Sequence, residues 1–121
     1  MDETFAPDEQ LYRGLHSIWL EDDNSVSSAA FKDSNGISVD RDGGRAEQDC
    51  IDRLVDNLPQ IEGVGRLSCE DVEDSGALPV YLPVEDNDYH SEIHDSVGQI
   101  QIKSKSKSRK LASKCLVIFR K

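Results

Sequence analysis

The chain has 121 residues, 24 acidic and 14 basic side chains, and a formal charge of −10. Hydrophobic residues make up 36% and charged residues 31%, enough for one modest core under an ionised surface. No apolar run approaches the ~20 residues of a membrane span, and the acidic opening Met1-Asp2-Glu3 is unlike a secretory signal. Collagen, coiled-coil, membrane and disulfide-framework classes are thereby excluded, and a single cytoplasmic domain over residues 1–121 is expected.

Charge is segregated along the chain. Residues 1–98 carry every acid and only six bases, net −18, whereas residues 99–121 carry eight bases and no acid. Such asymmetry marks either a tail that neutralises the body or an interaction surface.

Residues 1–9 are polar and expected to be flexible. Leu11, Leu15 and Ile18 fit one helical face, with Asp8 as a cap, but Gly14 fits two short strands equally well. After the loop 21–25, Asn35-Gly36 suggests a hairpin joining 26–32 to 37–41. Ala46, Cys50, Ile51, Leu54, Val55 and Leu58 form one stripe of period 3.6, so 45–58 is expected to be the main amphipathic helix, stopped by Pro59.

Gly63 to Cys69 reads as a strand, and Ser68 as the cap of a single turn over 70–72. Leu78, Val80, Leu82 and Val84 alternate as a buried strand face. Pro79 and Pro83 on the other parity assign that strand to a sheet edge. Alternation from Val97 to Ser108 predicts another strand, and 111–119 a helix turning into a strand. The expected fold is therefore α+β, one main helix on a small, mainly antiparallel sheet. Cys50, Cys69 and Cys115 are odd in number and lie in no C-x-x-C pair, which suits reduced, structural thiols.

The densest titratable cluster is Glu85 to Asp95. On a helix His90 and His94 become neighbours that could ligate one metal ion, with Glu92 pointing away; on a strand His90, Glu92 and His94 share one face, offering a general base. The histidines would stand ~13 Å apart there, and His-x-Glu-x-His is not the His-Glu-x-x-His of zinc proteases. Ser25, Ser27 and Ser28 lack a nucleophile elbow, and Gly63-Val64-Gly65 lacks the rest of a dinucleotide fingerprint.

Arg13 or His16 in an early apolar block, Ser27 or Ser28 mid-chain and Glu92 late follow one another in an order that resembles the scattered triad of ADP-ribosyltransferases. That resemblance implies a phosphate clamp at Arg13 and a ribose-orienting role for Glu92.

Lys103 to Lys110 alternates lysine with serine but contains no aromatic residue for base stacking. Edge protection or intramolecular pairing is expected ahead of nucleic-acid binding. The acidic body also admits mimicry of a nucleic acid, although its acids come in short clusters. The leading functional expectation is a small acidic binding or accessory protein whose partner is another protein with a basic surface. The alternative is a small enzyme with a polar site around His90 and Glu92, using metal-assisted or ADP-ribosyl-transfer-like chemistry. Arg13, His16 and Ser28 would complete that site. The two separate on whether these side chains converge in one cleft.

Overall fold

The computed structural model describes residues 1–121. Six strands form one antiparallel sheet: β1 (Gln10–Leu15), β2 (Ile37–Arg41), β3 (Gly63–Ser68), β4 (Leu78–Tyr81), β5 (His90–His94) and β6 (Leu116–Arg120). Their spatial order is β4-β5-β2-β1-β3-β6. Three short helices accompany them: α1 (Glu47–Asn57), α2 (Cys69–Asp74) and α3 (Lys105–Lys114). The fold is α+β, and no helix is long and apolar enough to cross a membrane.

The two parities of the central strands feed two cores. Leu11, Leu15, Ile37, Val39, Leu67 and Ile93 face the larger one, closed by Phe31, Val72 and Leu111. Tyr12 and Val64 face the opposite side, where Cys50, Ile51 and Leu54 of α1 cover them. The expectation of one main helix is corrected here. α1 follows its predicted stripe but seals only the smaller core, while α2 and α3 pack over the larger.

Three other local expectations change. The 26–32/37–41 hairpin does not form. Instead the Ser27 hydroxyl accepts from the Ala29 N–H and caps a 3-10 turn, Ser28–Phe31, that buries Ala30 and Phe31. β2 takes its partners from β1 and β5. The second concerns β4, which lies at the sheet edge as predicted but with the opposite face inward. Pro79 is buried and sits in register with Ile93, whereas Leu78 and Val80 are half-buried on the far side.

The third is the stretch 97–108, which forms no strand. Its lysine–serine alternation contains no apolar side, so nothing in it can hold a strand against a core. Ser108, Leu111 and Ala112 do recur at helical spacing, and they are buried. The Ser104 hydroxyl accepts from the Lys107 N–H and starts α3.

Close strand packing makes one glycine indispensable. A Cβ on Gly63 would lie 2.7 Å from the Phe119 carbonyl oxygen on β6, a backbone atom that cannot move aside alone. Gly63→Ala is expected to destabilise the fold by about 1–3 kcal/mol through this overpacking. Equilibrium urea denaturation checks it, and a midpoint equal to wild type would refute the close approach.

Candidate functional site

The site begins where two strands stop pairing. β1 and β2 are bonded only through Leu11↔Arg41 and Tyr12↔Asp40. Beyond Tyr12, β1 continues with β3 alone, and residues Ile37–Val39 of β2 pair with β5 alone. The strands splay, and a cleft of about 440 Å³ opens beside the split.

Arg13 fills the fork. It is the residue after the last β1–β2 pair and is only 6% exposed. Its Nε donates to the Ala30 carbonyl at 2.9 Å and its Nη1 to the Ser38 carbonyl at 2.8 Å. The guanidinium thus satisfies a β2 carbonyl that an unbroken ladder would have bonded. Nη2 donates to nothing within the chain, and Arg13 forms no ion pair. Burial pulls its pKa down to about 10, partly offset by Asp33, so it stays cationic at neutral pH. Trp19 lies under the guanidinium at 5.0 Å, with His16 edge-on to the indole at 4.7 Å.

A polar relay lines the opposite wall. His90 on β5 places Nδ1 2.8 Å from the Leu82 carbonyl and Nε2 3.3 Å from the Ser38 hydroxyl. In the neutral ring, donation from Nδ1 to the carbonyl leaves Nε2 as the acceptor for the Ser38 O–H. Asp40 sits across from His90 in register and is 3% exposed. Its Oδ1 accepts from the Asn87 side-chain amide at 2.9 Å, and its Oδ2 has no partner. A tight turn with reciprocal Val84–Asn87 backbone bonds brings Asn87 there. Leu54 of α1 and Leu58 just past its end, with Ile61 and Val84, provide the apolar lining.

Of the residues singled out in the sequence, Arg13, His16 and His90 line this cleft. Glu92 lies directly across from Ser38 on the neighbouring strand, with Oε1 2.8 Å from His94 Nε2. Gly36 turns there at φ +99°, and any Cβ on it would collide with the Glu92 carboxylate. Ser28 is elsewhere. It borders a more open groove of about 530 Å³ beside Arg109 and Asp23, and Ser27 is spent as a cap.

His90 and His94 stand four residues apart on one strand, ~13 Å by strand geometry. No group of three or more His, Cys, Asp or Glu side chains is placed to hold a metal ion. The three cysteines are free and buried. Burial pushes the Cys69 and Cys115 thiols up to about 12, which keeps them protonated and unreactive at neutral pH.

Sequence reasoning missed Trp19, Ser38, Asp40 and Asn87. Ser38 and Asp40 carried a readable signal, since they are the polar parity of a strand whose other parity is Ile37 and Val39. Asn87 carried none, because only the fold of its turn brings it within reach of Asp40. No protein-family model matches the chain, and neither a curated protein nor a solved structure does.

Proposed function

We propose that the chain is a small enzyme of the ADP-ribosyl-transfer type, acting on NAD held in the cleft at the β1–β2 split. The observation that carries this reading is the Arg13 guanidinium, a buried cation without a carboxylate partner whose Nη2 remains free beside a polar cleft. The free Nη2 is not a buried orphan, and a cation beside the cleft with no ion-pair partner is suited to an anionic ligand. Planar N–H donors suit a phosphate, and the Trp19 face and Leu54–Leu58 wall suit flat heterocycles. Of the residues that carry the resemblance, Arg13 and His16 line the cleft, whereas Ser28 and Glu92 do not; Ser38 is the serine that does.

In the proposed reaction the bond between ribose C1′ and nicotinamide breaks, and its electron pair leaves with the neutral nicotinamide. An acceptor oxygen bonds to C1′ and releases its proton to solvent water. Glu92 lies across from Ser38 but outside the cleft lining, its carboxylate engaged by His94. His90 Nε2 holds the Ser38 hydroxyl on the same face. Saturation-transfer NMR with NAD should show contacts from the adenine and ribose protons, and Arg13→Ala should abolish them. Absence of any contact with the wild-type protein would dismiss the reading.

A second reading, a binding protein acting through macromolecular contact, is supported by charge. Of the eight bases in residues 99–121 only Lys107 makes an ion pair, with Asp95 at 2.9 Å, while Lys103, Lys105, Arg109 and Lys110 are exposed. On that reading the acidic body meets a basic protein surface and the cleft is incidental. A pull-down that the Arg13 and His90 variants leave unchanged would favour it.

A further inference from the structure

We infer that Asp40 is the recognition residue of the cleft, accepting a hydrogen bond through Oδ2 from the N–H of an amino-bearing heterocycle. The inference rests on the reading of the cleft as a dinucleotide site and names the group that site selects. Asp40 is 3% exposed, yet Oδ2 is the one buried side-chain polar atom in the chain without a hydrogen-bond partner. Buried polar groups are almost always satisfied, so an orphan on a cleft wall points to a ligand.

The neighbouring donors are committed elsewhere. Arg41 bonds Glu9, Arg45 bonds the Asp42 and Arg41 carbonyls, and Arg53 bonds the Asp86 carbonyl. Asn87 is used on both ends: its amide donates to Asp40 Oδ1, and its own Oδ1 accepts from the Tyr89 N–H. Nothing in the chain turns to meet Oδ2.

A carboxylate oxygen with no donor of its own selects by polarity. It accepts from an N–H₂ group and repels a carboxylate or a ring carbonyl in the same place. Apolar Leu54 and Val84 also border the cleft and suit the flat faces of a heterocycle. NAD offers two such groups, the carboxamide of nicotinamide and the exocyclic amine of adenine. They share one chemistry, and two analogues tell them apart. Nicotinic acid adenine dinucleotide replaces the first with a carboxylate, and nicotinamide hypoxanthine dinucleotide replaces the second with a carbonyl.

The experiment measures the affinity of wild type, Asp40→Asn and Asp40→Ser for NAD and both analogues by calorimetry, with the Tm of each free protein. Wild type should discriminate against one analogue by about tenfold to a hundredfold, and both variants should lose that preference. The disfavoured analogue identifies the ring beside Asp40. Equal affinity of wild type for all three ligands overturns the inference even though the dinucleotide reading survives.

If no dinucleotide binds wild type, the dinucleotide reading falls, and the free proteins still judge Asp40. Removing an unpartnered buried charge should raise the Tm of Asp40→Asn by a few degrees, as an oxygen kept for a ligand requires. A lower or unchanged Tm would mean the carboxylate is satisfied within the chain, and the inference fails on that result alone.

Discussion

Replacing Arg41 with alanine should cost about 3–5 kcal/mol of stability, the usual loss when one partner of a buried ion pair is removed. Arg41 is 3% exposed and ends β2. Its Nε and Nη2 each lie 2.7 Å from one oxygen of the Glu9 carboxylate, a bidentate pair. The same guanidinium donates to the Asp2 and Thr4 carbonyls and stacks on Phe5 at 4.2 Å and Tyr81 at 4.8 Å. The segment 1–9, expected from its polarity to be flexible, gains its contacts with the sheet here.

The same pair sets an acid dependence. Burial alone would raise the Glu9 carboxyl, but bonds from Arg41 and the Gly43 N–H outweigh it and hold the group below the ordinary glutamate range. Its stabilisation is therefore fully present above the unfolded glutamate value, about 4.3, and fades as pH falls through the lower folded value. Urea denaturation across pH 2–6 should show wild type losing this contribution and Arg41→Ala lacking it from the start. A variant within about 1 kcal/mol of wild type at neutral pH would refute the pair's importance.

How much of this fold could be read from the residues depends on where burial left a periodic trace. The stripe from Ala46 to Leu58 needed no tertiary information, and α1 follows it. The Ser68 cap was equally local, and it forms a full capping box with Asp71. The Lys103–Lys110 alternation misled because period 2 carries meaning only when one parity is apolar. β5 was obscured for a related reason. Its inward residues are Ser91 and Ile93, and a buried serine gives no hydropathy signal amid surrounding acids.

The cleft shows the same division. Arg13 stood out as a lone cation in an apolar block, and the β1–β2 split explains its place there. Asp40 and Asn87 are 47 positions apart and meet only after β2 pairs with β5 and the β4–β5 turn closes. No short motif can encode that juxtaposition. Ser28 borders a different groove, and Ser38 takes its place beside His90 only through the β2–β5 pairing.

The second large effect falls on Arg13 itself. Arg13→Lys keeps the charge but replaces a planar fork with one compact ammonium, which cannot serve the Ala30 and Ser38 carbonyls and a ligand at once. It should retain the fold with a loss of about 1–2 kcal/mol, one buried hydrogen bond gone. Affinity for NAD should drop by about tenfold to a hundredfold, the worth of one charge-assisted hydrogen bond from Nη2. Arg13→Ala should lose more stability, about 2–4 kcal/mol, because both carbonyls are then left unpartnered at the strand split. Urea denaturation reads the first quantity and calorimetric titration with NAD the second. The two measurements must diverge for the lysine variant, since a residue that only braced β2 would lose stability without a matching loss of affinity. Wild-type affinity in Arg13→Lys would leave the guanidinium as a brace for the split sheet and remove it from the ligand site.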